Sequence, residues 1–373
     1  MSQRWLRIIA AFVAFAVVAA LGVVIFGNFD AAPDPKTGIN QATANSFALV
    51  LAIALLVGGI VLFGLEYLQT GHLESLASQF STRTIVLMPV AIAINIVLGS
   101  AVANALKIPI YLDSIGTILV GVLAGPIAGA ATGFLANVLW SYVIPPPFQY
   151  QPAAAFAVVA AVIGLLAGIF GRLGWFRPRP NRSAGELVVG AVVALLVVGT
   201  MAFYAYSRFY APASGPIPLI NGDAGLVFVI LAWLVVALGV IAVVGFLALL
   251  FLRRDLTVAY VVVAGVITGS AAALISAPIA ANVFGGVTGS GVDFLVAAFR
   301  QAGSDLQAAT LQQGLLVDPA DKMLTALVVY LVLNAMARRT KARFPQGERL
   351  IDEGDPQADE QPPPATDREG APA

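Results

Sequence analysis

The chain has 373 residues, 59% hydrophobic and only 11% charged, against roughly 25% charged in an average soluble domain; this excludes a soluble globular protein. Its 20 basic and 20 acidic residues cancel, which excludes the basic excess of a typical nucleic-acid-binding domain, and no nucleic-acid partner is expected. It has no cysteine and one histidine, His72, which excludes a disulfide frame, a thiolate nucleophile and a His-rich metal site.

The apolar residues fall in blocks of about twenty, the helical length that crosses ~30 Å of hydrocarbon. An all-α, polytopic membrane protein of about ten transmembrane or re-entrant segments is therefore expected. In chain order these are Ile8–Phe26, Phe47–Leu65, Ile85–Ala105, Ile115–Gly125, Ile127–Val143, Ala153–Phe170, Leu187–Tyr206, Leu226–Leu252, Leu256–Ala281 and Met323–Met336. The fourth and tenth are too short to cross comfortably alone. Arg4 and Arg7 precede the first run as in a signal peptide, but its length and the lack of an A-x-A site favour a retained anchor.

Cationic residues mark the cytoplasmic side. With the N-terminus inside and every segment crossing, 15 of the 20 Lys and Arg lie inside and five outside. Both termini are then cytoplasmic, and the localisation expected is the plasma membrane of a prokaryote. Three regions follow: two N-terminal helices (1–83), a membrane domain (84–344) with an outside cap (283–321), and a disordered acidic cytoplasmic tail (345–373), too poor in apolar residues to fold.

No P-loop is present, so ATP binding by that route is excluded. HExxH, GxSxG and kinase signatures are absent too, and no enzymatic activity or cofactor is expected. The spans carry almost no charge at mid-depth, which argues against a coupled carrier built on buried carboxylates. Their polar residues are Asn95, Asn104, Asn137, Trp140, Ser141 and Asn334. The simplest role for each asparagine is a helix–helix hydrogen bond, worth ~0.6 kcal/mol.

Gly121, Gly125, Gly129 and Gly133 recur every four residues, and Pro126 splits them between two short helices joined by a tight turn. Ala160, Gly164 and Gly168 form a second small-residue stripe, and Gly265, Gly269 and Ala273 a third. Such faces either pack internally or dock a membrane partner. Lys107 and Asp113 are expected at the outer mouth, where Asp113, Ser114 and Thr117 suit the start of the next helix. Alternatively, Asp113 and Tyr111 face the Phe148–Gln149–Tyr150–Gln151 loop across an outward pocket. Aromatic faces and amides there would suit a flat organic molecule. Tyr111, Asp113, Asn137, Trp140, Gln149, Tyr150, Asn282 and Asp293 are the candidate substrate-binding residues. Nickel and cobalt are disfavoured by the shortage of imidazole and thiolate.

The stretch IPIYLDSIGTILVGVLAGPIAGAATGFLANVLW (Ile108–Trp140) resembles the substrate-binding S components of energy-coupling factor (ECF) transporters. So do FQYQPAAAFAVVAAVIGLLAGIFGRLGWF (Phe148–Phe176), FGGVTGSGVD (Phe284–Asp293) and DPADKMLTALVVYLVLNAMARRTKARFP (Asp318–Pro345). The resemblance implies an S-component-like helical bundle that captures a vitamin-like organic micronutrient from outside. Its partners would be an ECF transmembrane coupling subunit and ATPase subunits, within the lipid bilayer. The small-residue faces would dock the coupling subunit, through Gly121, Gly125, Gly129 and Gly133 or through Ala160, Gly164 and Gly168. A ligand-sensing or scaffold membrane protein without transport activity is the alternative.

Overall fold

A computed structural model describes residues 3–26, 41–106, 110–205, 226–301 and 303–351. Every regular element among them is helical. Helices α1 (Gln3–Phe26) and α2 (Gln41–Thr70) pair as a hairpin, followed by the single turn α3 (Glu74–Ala77) and by α4 (Thr82–Gly99). A π-helical turn extends α4 to Ala105. Then come α5 (Ile115–Ala124), α6 (Pro126–Tyr142), α7 (Ala157–Arg172), α8 (Ala184–Ala205), α9 (Leu226–Arg253) and α10 (Thr257–Phe284). The chain continues through α11 (Asp293–Gln301), α12 (Leu306–Ala335) and α13 (Arg338–Ala342).

Among the described residues, five spans are long and apolar enough to cross a membrane: Leu6–Phe26, Ala42–Thr70, Thr82–Val102, Gln151–Arg172 and Thr257–Phe284. Large apolar side chains on α1, α2, α4 and α8 point outward, among them Phe12, Leu56, Val86 and Val189. Such an exposed apolar surface is stable against lipid and not against water.

The loops sort to two ends. At one end Arg182 and Arg179 bond the backbone around Arg254 and Leu256, and Arg349 reaches the carbonyl of Arg172. Gln79 and Gln346 meet there beside Gly125. At the other end Tyr150 bonds the Thr288 carbonyl. The arginine-rich loops after α7, α9 and α12 thus share one end.

Helix α5 is the axis of the bundle, with every residue buried. Its ten residues rise about 15 Å, half a bilayer. It begins midway along α4, since a Cβ on Gly116 would lie 2.1 Å from the carbonyl oxygen of Ala91. It ends at Gly125, whose φ of 123° only glycine adopts freely. Pro126 then opens α6 at a position where its missing N–H costs nothing. The tight turn expected from Pro126 is therefore present.

The small-residue stripes are consumed inside the bundle. A Cβ on Gly129 would lie 2.5 Å from the Gly164 carbonyl oxygen, and one on Gly133 would lie 2.3 Å from that of Ala160. Gly121 meets Gly164, and Gly168 meets Pro126 and Gly125. The two faces expected to dock a partner, Gly121–Gly125–Gly129–Gly133 and Ala160–Gly164–Gly168, instead pack against each other. The reason is geometric, because complementary grooves without side chains let two backbones approach to van der Waals contact. Gly265 and Gly269 do the same for α10 against α12, at Met323 and Asp318.

Two boundaries change. The segment Val283–Asp321 is not one outside cap: α11 and the turns around it lie at the loop end, but residues 306–321 belong to α12, which runs unbroken through Pro319 along α10. Pro319 removes one backbone hydrogen bond, a defect that close neighbours in a membrane bundle can compensate. The tail also begins later than residue 345. The Gln346 N–H donates to the Leu123 carbonyl (2.9 Å), and Leu350 is buried at the arginine-rich end. Residues 352–373 lie outside the described residues, as do Lys107 and the side chain of Asn104.

Candidate binding site

The chain from Ile110 to Ser114 descends non-helically into the bundle before α5 starts. Backbone at that depth must find partners within the protein. Asp321 on α12, fully buried, supplies them: its Oδ1 accepts from the N–H groups of Tyr111 (3.2 Å) and Leu112 (2.9 Å). Leu112 holds a left-handed φ of 51° at this bend. The first turn of α5 is capped from outside as well. Asn95 on α4 accepts from the Gly116 N–H (2.7 Å) and donates to Thr117 Oγ1 (2.8 Å). Asp113 and Ser114 make no such cap; the Asp113 carboxylate turns to Lys322 Nζ at 3.3 Å instead.

Lys322 is held between Asp113 and Asp321, and its ammonium lies 5.8 Å from the centre of the Tyr111 ring. One turn earlier on the same face of α12 stands Asp318. Asp318, Asp321 and Lys322 are at most 5% exposed. They lie beside Gly265 and Gly269, toward the middle of α10. The expectation of almost no charge at mid-depth is thereby corrected, as is the placement of Asp113 at the outer mouth. Reading α12 as loop up to Asp321 concealed both.

Asp113, Asp318 and Lys322 form the floor of a cavity of about 100 Å³, with Asp321 directly behind them. Its walls come from α4, the segment leading into α5, α6, α7, α10 and α12, and its rim from the 286–293 turns. Six of the eight candidate binding residues line it: Tyr111, Asp113, Asn137, Trp140, Tyr150 and Asp293. Trp140 and Tyr150 form one aromatic wall, with ring centres 5.2 Å apart and tilted by 50°. Each has its polar atom engaged, Trp140 Nε1 on the Phe148 carbonyl (2.9 Å) and Tyr150 on that of Thr288 (2.9 Å). Burial pushes the Tyr150 phenol well above its ordinary pKa, so it remains a donor. Asp293 ties down the rim through the N–H groups of Thr288 (3.0 Å) and Gly289 (2.7 Å) and the Thr288 hydroxyl (2.7 Å).

Gln149 and Asn282 are not in the cavity wall. Gln149 donates to the Ser141 carbonyl (2.7 Å) and braces the loop behind Trp140. Asn282 is exposed, accepts from Gln307 (2.6 Å), and borders a separate apolar groove between the α1–α2 hairpin and α7–α10. Phe148 contributes its carbonyl, while its side chain points away and is exposed.

Sequence reasoning missed Ser114, Ser276, Gln313, Asp318 and Lys322 in the wall. The signal was present: Asp318, Asp321 and Lys322 stand at i, i+3 and i+4 just before an apolar run, which on a helix forms one charged face. No protein-family model, curated protein or solved structure matches the chain.

Proposed function

We propose that the chain is the substrate-binding subunit of an ECF-type importer, taking up a vitamin-like organic micronutrient for partner subunits that hydrolyse ATP. The observation that carries this reading is the mid-bundle cavity at the start of the half-helix α5. Its polar floor and aromatic wall are the combination that orients and encloses a small organic molecule. The missing P-loop fits a subunit without a motor. In this reading α5–α6, α8, α9 and α12 complete a bundle of about ten segments with the five long apolar helices. The arginine-rich end faces the cytoplasm, and the cavity opens outward. The stripe glycines are occupied, so a coupling subunit would meet lipid-facing side chains.

The test is affinity purification of the tagged chain from its native membrane in mild detergent, with its neighbours and any bound small molecule identified by mass spectrometry. Recovery of a coupling subunit and ATPases, with ATP-dependent uptake after reconstitution, supports the proposal. A chain that brings down neither ATPases nor a small molecule defeats it. The buried charges around Lys322 favour one rival, a gradient-driven carrier. Uptake that persists without ATP and stops when the proton or sodium gradient is collapsed would select that rival.

A further inference from the structure

The cavity has a charge imbalance. Asp113, Asp293 and Asp318 line it and Asp321 stands directly behind, while Lys322 is the one cation among the described residues that line it. Lys322 is spoken for by Asp113 and Asp321. Asp293 spends its oxygens on the 288–289 turn. Asp318 is different. It is 5% exposed, its Oδ2 has one long contact to Ser276 Oγ (3.5 Å), and its Oδ1 has no hydrogen-bond partner. Ser114 Oγ, also in the cavity wall, is buried without a partner as well.

Asp318 lines the cavity and keeps one carboxylate oxygen buried without a donor, which is costly. The group that best satisfies it carries both a positive charge and N–H bonds. An anion would meet the surplus of carboxylates. A bare metal ion would need converging ligands, and no three His, Cys, Asp or Glu converge to hold one among the described residues. The wall adds the other half of the recognition, since Trp140 and Tyr150 both line the cavity and supply aromatic surface for a flat or cationic group.

Resting on the reading of this cavity as a substrate pocket, we propose that it selects a small organic cation: an amine or amidine group seated on Asp318, with Ser114 as a second polar contact, attached to a flat ring against Trp140 and Tyr150. The class excluded is carboxylate-bearing aromatics of the same size.

The experiment uses the full chain in detergent and three matched compound sets, on indole, quinoline and pyrimidine rings, each bearing an aminomethyl, a carboxamide or a carboxylate arm. Ligand-induced thermal stabilisation ranks them, and calorimetric titration gives affinities for the binders. The expected result is binding by aminomethyl compounds at least tenfold tighter than by their carboxamide and carboxylate partners. Asp318→Asn, which keeps the shape, should remove that preference while elution from a sizing column stays unchanged. Carboxamides or carboxylates that bind as tightly as the amines overturn the cation assignment and leave the pocket reading standing. An amine preference that survives Asp318→Asn overturns the role of Asp318. Absence of binding across all three sets overturns the pocket reading, and the cation assignment with it.

Discussion

Asn95→Leu should detach the start of α5 from α4. In the native protein the Asn95 side chain is 2% exposed and satisfies the Gly116 N–H at 2.7 Å. That donor belongs to the first turn of α5, where no earlier helical carbonyl can replace Asn95. Leucine has similar bulk but no acceptor, and in a bilayer it gains no hydrophobic return for its extra apolar surface. Orphaning a buried N–H costs ~1–3 kcal/mol, and losing the Asn95–Thr117 bond adds ~0.6 kcal/mol. The expected loss is about 2–3 kcal/mol, or roughly a 30- to 150-fold change in the unfolding constant. Thr117→Val removes only the second bond and should cost about 0.6 kcal/mol. Equilibrium unfolding in mixed micelles with increasing SDS, followed by circular dichroism, measures both. An Asn95→Leu variant no less stable than Thr117→Val would refute the claim that Asn95 caps this half-helix.

Gly133→Ala places a methyl against the Ala160 carbonyl and should cost about 1–3 kcal/mol. Gly199→Ala, where nothing lies within 4 Å, should instead gain about 0.5–1 kcal/mol from helix propensity; the same unfolding assay separates their signs. Tyr150 donates from a phenol whose pKa is raised by burial, so its stabilisation is complete below the unfolded value of ~10 and is lost only as pH rises through the higher folded value. Wild type and Tyr150→Phe should therefore show the same tyrosinate absorbance at 295 nm up to pH ~10, and the variant should unfold about 1 kcal/mol more easily at neutral pH. Ending the chain at Ile351 leaves every described contact in place, whereas ending it at Phe344 removes the Gln346 and Leu350 contacts under α5. The shorter chain should lose about 2–3 kcal/mol, read by thermal denaturation in detergent.

The gathering of Tyr111, Asp113, Trp140 and Tyr150 around one cavity was legible because local chemistry marked it: a break before a glycine run, and an aromatic loop close by in sequence. Asn95 was legible for the same reason, as a lone amide in an apolar span has little to do except bond a neighbouring helix. Asp318 and Lys322 were not. Their residues are separated from Asp113 by about 200 positions, and charge together with Pro319 made their segment read as loop. The docking stripes failed differently, since a small-residue face looks the same from sequence whether its partner is another chain or the next helix.

Sequence by itself determined the class, a helical membrane protein, because mean composition and apolar run length answer directly to the bilayer. It also marked, by their arginine clusters, the loops that meet at one end of the bundle. Only the tertiary structure decided which stripe meets which, since van der Waals contact depends on helix rotation and depth. The structure also decided that Asp113, Asp318 and Asp321 gather around Lys322, because segments distant in the chain share a dielectric environment only after they pack.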